Sequence, residues 1–169
     1  MPLPTDTVID WPTGFEPHHS PIYETNVIDI AADPTVVWEL LVHPHQWSDY
    51  FTHAEVPTID AGSTLELGTA FVMRAAGAEL SCSVREFVTG HRLSWTAVYD
   101  DTSAAYHGWV ITPTATGSRV RTEETQHGAF WLNLAQAHPG SLYQANQDWI
   151  EGLAARAQSL AQRSHGGRA

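Results

Sequence analysis

Two adjacent glutamates, Glu123 and Glu124, stand inside a strand-like segment that also carries a histidine and a tryptophan. The segment is residues 106–128, YHGWVITPTATGSRVRTEETQHG, in which two β-branched runs flank a turn rich in Pro, Thr and Gly. Glutamate is a poor strand former, so two adjacent glutamates within a strand suggest that at least one has a specific role. An enclosed carboxylate beside an imidazole is a common acid–base device, because burial and proximity shift their pKa values.

The length of the turn at residues 113–118 predicts which side chains of the hairpin face each other. A regular hairpin pairs Thr112 with Arg119, and it therefore pairs His107 with Glu124. Directly opposed Cβ atoms lie roughly 4.5–5.5 Å apart, which is close enough for a hydrogen bond between the side chains. Alternation then gives the inner face of the hairpin as His107, Trp109, Ile111, Val120, Thr122, Glu124 and Gln126.

The same alternation places Glu123 and Glu124 on opposite faces of the hairpin. We predict that Glu123 is solvated beside Arg121 on the outer face, and that Glu124 serves a buried imidazole. In this interpretation His107 is the general acid/base and Glu124 orients it. The alternative is that His107 and Glu124 only satisfy each other's polarity within the core.

Aromatic side chains on the inner faces could line a ligand cavity. The chain has seven tryptophans, more than a tight core of this size needs, and aromatic rings suit a flat apolar ligand. The alternative is a purely structural aromatic core. The predicted ligand contacts are Trp47, Tyr50, Phe51, His53, Cys82, Trp95, Tyr99, Trp109, Thr122, Gln126, Asn146 and Trp149.

Six members of that set have an equally simple structural explanation. Asn146 lies on the apolar face of a helix, where its amide needs a partner from the sheet, from water or from a ligand. The stretch from Trp47 to His53 either packs a short helix on the sheet or forms the cavity entrance. Cys82 points inward with no basic neighbour in sequence, which favours a small buried hydrophobe over a nucleophile.

The elements that would position these residues follow in a clear order. Residues 22–32 alternate as a strand, and Asp33-Pro34 supplies a helix N-cap and a proline at the first helical position. A short helix ends before Pro44, and a second short helix follows at residues 45–51. Strands separated by Gly, Asp and Pro clusters fill residues 54–128. A long amphipathic helix is marked by Leu142, Asn146, Trp149, Leu153, Ala157 and Leu160.

A long antiparallel sheet with one long helix must curl around that helix to bury both apolar faces. We therefore predict an α+β fold in which the sheet wraps a long C-terminal helix, with two short helices after the first strand. Residues 1–21 contain five prolines and form an irregular N-terminal arm. Residues 22–163 form a single domain, and residues 164–169 form a disordered tail.

Composition restricts the class of partner. The net charge of −11 argues against nucleic acid and against an anionic membrane surface. No apolar run approaches the ~20 residues that span a bilayer, and no leader segment is recognisable, so we predict a cytoplasmic protein without membrane insertion. The ten histidines lack zinc-ligand spacing, and no nucleotide-binding motif is present, so we predict no metal and no cofactor.

Five segments carry a family resemblance: VIDIAADPTVVWELLVHPHQW, LELGTAFV, RLSWTAV, HGWVIT and RVRTEETQHG. Together they resemble the START-like superfamily, also called SRPBCC, and within it the polyketide cyclase/dehydrase group. The resemblance covers residues 22–162. It implies the helix-grip fold, an internal cavity and an apolar, polyketide-like ligand. It does not separate cyclases, dehydratases, lyases and lipid binders, because the family uses one cavity for many ligands.

The resemblance and the residues together predict a cofactor-independent enzyme acting on a hydrophobic small molecule. The reaction it implies is a cyclisation, aldol condensation or dehydration assisted by acid–base catalysis, in a monomer or homodimer. The alternative is a non-catalytic carrier or sensor of a lipid-like or aromatic molecule. A third possibility, an interaction module, would show an exposed apolar patch in place of a pocket.

Overall fold

The structure is a computed structural model that describes residues 7–59 and 64–166. In chain order its elements are β1 (Ile22–Ile30), α1 (Pro34–Val42), β2 (Thr58–Ile59), β3 (Ala70–Ala75), β4 (Ala78–Val88), β5 (Arg92–Val98), β6 (Ala104–Thr114), β7 (Gly117–His127), α2 (Ala129–Ala137) and α3 (Ser141–Gly166). Short 3₁₀ helices lie at Pro17–His19 and Pro44–Asp49. The outer ends of the predicted arm and tail, residues 1–6 and 167–169, lie outside the described residues.

The seven strands form one antiparallel sheet in the order β1-β7-β6-β5-β4-β3-β2. The register of β6 and β7 confirms the predicted hairpin, since Thr112 pairs with Arg119 and His107 pairs with Glu124. The sheet is curved around α3, which confirms the predicted α+β helix-grip architecture. Its concave face, toward α3, carries the candidate site.

The two short helices after β1 form where the sequence predicts them. Asp33 caps α1 by accepting a hydrogen bond from the backbone N–H of Thr35 at 2.9 Å, and Pro34 occupies the first helical position. Pro44 then begins the 3₁₀ helix Pro44–Asp49. This pair of helices brings Trp47 against the concave face of the sheet.

Helix α3 packs on the concave face through one apolar stripe. Trp149, Ile150, Leu153 and Ala157 are buried along it. Gly152 lies in the same stretch, and a Cβ there would overlap the backbone carbonyl of Tyr50. Because glycine costs about 1 kcal/mol relative to alanine inside a helix, its presence here is explained by this close approach.

Residues 7–21 of the N-terminal arm lie on the convex face of the sheet, and none of them lines the cavity. Ile9 is buried with Tyr106 and Val110 in a small separate cluster, against which Trp11 and Phe15 pack. A Cβ on Gly108 would lie 2.5 Å from the Cδ1 atom of Ile9, so the arm docks where β6 lacks a side chain. The strand β6 is consequently buried on both faces over most of its length.

Two elements depart from the sequence expectation. Helix α2 forms between β7 and α3, in a stretch to which we assigned no element, and α3 includes residues 164–166, which we placed in a tail. Trp131 is the one buried residue among those of α2, so the sequence of this short helix has only a weak amphipathic pattern. No helix among residues 7–59 and 64–166 is long and apolar enough to cross a bilayer.

Candidate functional site

A cavity of about 620 Å³ lies between the concave face of the sheet and helices α2 and α3. This volume is within the range typical of small-molecule sites. Nine of the predicted site residues line it: Trp47, Phe51, His53, Trp95, His107, Glu124, Gln126, Asn146 and Trp149. These nine residues come from five secondary-structure elements and one loop.

Five predicted site residues do not line the cavity. Tyr99 is a correction: it follows the end of β5, is 45% exposed, and stacks on Phe130 with ring centroids 3.9 Å apart. Tyr50 and Trp109 are buried behind the lining, where the Tyr50 hydroxyl donates to the Leu40 carbonyl at 3.2 Å. Trp109 is covered by Trp149, whose ring centroid lies 5.1 Å away.

Cys82 and Thr122 are also buried without reaching the cavity. The Cys82 thiol donates to the Leu80 carbonyl at 3.7 Å, and burial raises the pKa of Cys82 to about 12. A thiol in that state is a small apolar side chain and a poor nucleophile. Thr122 lies behind His107, so it contacts the imidazole and not the cavity.

The imidazole of His107 is enclosed, with protein atoms next to both ring nitrogens. Its Nε2 atom lies 2.7 Å from the Thr122 hydroxyl, and its Nδ1 atom lies 3.5 Å from Glu124 Oε2. Burial lowers the pKa of His107, and the nearby carboxylate opposes that shift only in part. The Thr122 hydroxyl donates to the Gly108 carbonyl at 3.1 Å, so it accepts the hydrogen bond from Nε2–H of a neutral imidazole, and the unprotonated Nδ1 atom then faces Glu124.

Glu124 is held at the inner end of the cavity by two side-chain amides. Gln126 Nε2 donates to Glu124 Oε1 at 2.9 Å, and Asn146 Nδ2 donates to Oε2 at 3.2 Å. The Glu124 side chain is 10% exposed, against 6% for His107. Because this face of the sheet meets only the cavity and the helices, the carboxylate is accessible from the cavity.

Glu123 lies on the convex face, as predicted, but it is not solvated. Its side chain is only 13% exposed, because it accepts hydrogen bonds from the Tyr23 hydroxyl at 2.5 Å and from Arg121 at 3.1 Å. The expectation of a solvated glutamate is therefore wrong, since the neighbouring strand β1 supplies a partner. The two adjacent carboxylates still differ completely in what they face.

Aromatic rings form the walls around the inner carboxylate. Trp47 stacks on Trp95 with centroids 5.4 Å apart, and Phe51 stacks on Trp149 at 4.7 Å. Trp95 also contacts the His107 ring at 5.1 Å. These rings adjoin a small cluster of polar side chains, which is the usual arrangement in a site for a largely apolar ligand.

The mouth of the cavity is polar and partly exposed. His53 Nε2 and Asp148 Oδ2 lie 3.3 Å apart across it, joining the loop after the 3₁₀ helix to α3. Arg74, 62% exposed, lies at the rim and pairs with Glu79 at 3.5 Å. The rim also carries Glu24, so acidic groups outnumber basic ones there.

Sequence reasoning missed the part of the lining that α2 contributes. Trp131, Leu134 and His138 face the cavity from this helix and its C-terminal end. The Gly128 that precedes α2 and the Pro139-Gly140 step after it were the available signals. Among the described residues, no group of three metal-ligating side chains comes together, and no phosphate-binding loop adjoins the cavity.

The fold and the cavity define a START-like helix-grip protein, and comparisons with solved structures agree. A hypothetical protein, jhp0584, from Helicobacter pylori has a TM-score of 0.83 at 22% identity, covering 92% of this chain and 99% of its own. A START superfamily protein from Mycobacterium smegmatis has a TM-score of 0.62 at 8% identity, covering 82% and 98%. These identities support the fold alone.

A third similar structure is the di-domain ARO/CYC StfQ from the steffimycin biosynthetic pathway. Its TM-score is 0.66 at 13% identity, with 83% of this chain and 52% of StfQ covered. A search of curated proteins gives no match. The family model for polyketide cyclase/dehydrase and lipid transport matches residues 24–158, so the chain belongs to that family.

Proposed function

We propose that this protein binds a small, largely apolar molecule in the cavity and assists a proton-transfer step there. The observation that carries the proposal is the buried carboxylate of Glu124, fixed by Asn146 and Gln126 amides at the inner end of an aromatic cavity. The reaction class is the cyclisation, aldol condensation or dehydration that membership of the family suggests. No cofactor is required for such chemistry.

The contacts of His107 support Glu124 as the group that meets the ligand. Both imidazole nitrogens lie next to protein atoms, whereas the carboxylate is the more exposed of the two groups. We therefore assign proton transfer to Glu124 and the positioning role to His107, which reverses the roles predicted from sequence. A proton shared between Nδ1 and Oε2 would let His107 adjust the basicity of the carboxylate.

In an aldol cyclisation, Glu124 would take a proton from the carbon next to a carbonyl group. The resulting enolate carbon would attack a second carbonyl of the same molecule, and the protonated Glu124 would return the proton to the new alkoxide. The aromatic walls would hold the chain folded, which removes part of the entropic barrier to ring closure. Atoms balance without any co-reactant.

The test begins with native mass spectrometry of the purified protein to identify a co-purifying ligand. Conversion of that ligand is then followed with wild-type protein, Glu124→Gln and the control Glu123→Gln, which alters the adjacent carboxylate on the convex face. We expect Glu124→Gln to lower kcat by about 10²–10⁴-fold with a smaller change in KM. Equal loss in both parameters would identify Glu124 as a binding residue.

A carrier or sensor is the second candidate, and one observation favours it. Each carboxylate oxygen of Glu124 already accepts an amide hydrogen bond, an arrangement that also suits a static anchor. A ligand that binds stoichiometrically and leaves unchanged would support this function. Cytoplasmic location, a monomeric or homodimeric state and the absence of nucleic-acid binding stay predictions of the sequence.

A further inference from the structure

The charge distribution of the cavity restricts the polar end of its ligand. The lining carries four carboxylates, from Glu24, Glu55, Glu124 and Asp148, and one guanidinium, from Arg74. Arg74 lies at the exposed rim, and its guanidinium pairs with Glu79. At the inner end, the described lining offers Glu124 no Arg or Lys partner.

The described groups that contact Glu124 are two amide donors and an imidazole. Two amides supply one hydrogen bond each, and burial lowers the pKa of His107, which favours the uncharged imidazole. A buried carboxylate without a cationic partner is costly, and a ligand that brings a donor or a positive charge relieves that cost. An anionic ligand end would meet the carboxylate at short range in a poorly solvated site.

We propose that this cavity selects apolar ligands whose inner end is an uncharged or cationic hydrogen-bond donor and rejects ligands ending in a carboxylate. The inference rests on the proposed function, because it names the ligand class of the same cavity. Free fatty acids and aromatic acids are excluded, whereas hydroxyl and amine ends are accepted. The selectivity applies to the polar end group of the ligand, and it does not specify the structure of the apolar part.

The aromatic walls add a second preference within that class. Trp47, Trp95 and Trp149 pack on one another beside the inner end, with ring centroids 5.1–6.1 Å apart. A cation held near such faces is attracted by the negative potential of the rings. The expected order of affinity is therefore ammonium first, hydroxyl second and carboxylate last.

Three probes with one naphthalene skeleton test this order at neutral pH. They are naphthalen-2-ylmethanamine, naphthalen-2-ylmethanol and naphthalene-2-carboxylate, and binding is measured by isothermal titration calorimetry. We expect the carboxylate to bind at least about 100-fold more weakly than the amine, because like charges in a desolvated site repel strongly. Glu124→Gln should bring the three affinities within about tenfold, and Glu123→Gln should keep the wild-type order.

The outcomes of this experiment distinguish a failure of the proposed selectivity from a failure of the proposed ligand-binding function. Equal or tighter binding of the carboxylate by the wild-type protein overturns the selectivity and leaves the ligand-binding function standing. An unchanged order in a folded Glu124→Gln variant also overturns it. If none of the three probes binds, the proposed function fails and the selectivity fails with it. The wild-type order decides the question even if the Glu124→Gln variant does not fold.

Discussion

Asn146 on α3 donates a hydrogen bond to Glu124 on β7, with the Nδ2 atom 3.2 Å from Oε2. This contact joins the long helix to the sheet at the inner end of the cavity. It supplies the partner that an amide on the apolar face of a helix requires. The same contact therefore stabilises the domain and positions the carboxylate.

Replacement of Asn146 by leucine should destabilise the protein by about 1–3 kcal/mol, because it removes a donor from a buried carboxylate. Urea unfolding at neutral pH measures the change. Gln162→Leu, at an exposed position of the same helix, is the control and should be nearly neutral. A loss no larger than that of the control would show that the amide contact contributes nothing.

Stability should fall as the pH decreases below about 6.5, in part because of His107. Burial lowers the pKa of His107 from its ordinary value of 6.5, so the unfolded chain binds a proton that the folded chain resists. The contribution is fully present above the unfolded pKa and is lost as the pH falls through the lower folded pKa. Wild-type and His107→Gln unfolding free energies at several pH values from about 7.5 to 5 should therefore converge on acidification.

The exposed His18 provides the control for that experiment. His18→Gln should keep the full pH dependence of the wild-type protein. If His107→Gln keeps the same dependence, the imidazole is not the buried neutral group that the structure indicates.

Gly152→Ala should destabilise the protein by about 1–3 kcal/mol, although alanine is the better helix former. The added Cβ would overlap the Tyr50 backbone carbonyl, which cannot move as a flexible side chain can. Thermal unfolding measures the change, and Gly166→Ala, which meets open space, should be nearly neutral. A stabilised Gly152→Ala variant would contradict the close packing of α3.

Ile9→Ala should loosen the N-terminal arm from the convex face. Loss of a buried isoleucine side chain costs about 2–5 kcal/mol, so limited proteolysis should cleave residues 7–21 faster while ligand binding is retained. Val8→Ala, at a neighbouring position that is 51% exposed, is the control. Weakened ligand binding in Ile9→Ala would place the arm in the cavity's function, contrary to its position on the opposite face.

The sequence predicted the fold and the hairpin register because both follow from local rules. Turn length fixes the pairing of His107 with Glu124, and the two-residue period assigns each side chain to a face. The two-residue period fails at Tyr99, which lies one residue beyond the end of β5. Outside the strand, alternation no longer determines the direction of the side chain. Alternation therefore assigns a side chain to a face only within the strand itself.

Alternation cannot predict which of the inward-facing side chains reach the cavity and which are covered by other residues. Trp109 and Thr122 have the predicted orientation, yet Trp149 and His107 cover them. Which inward side chain reaches the cavity depends on how α3 is placed, and α3 is distant in sequence. Helix α2 was missed because a nine-residue segment with one fully buried side chain has little periodic signal.

The most direct test of the central claim is a crystal structure of the protein with naphthalen-2-ylmethanol bound. We expect the naphthalene rings against the aromatic wall of the cavity, with the hydroxyl oxygen about 2.5–3.0 Å from a Glu124 carboxylate oxygen. A probe bound on the convex face, or one whose hydroxyl points to Asp148 at the mouth, would contradict it.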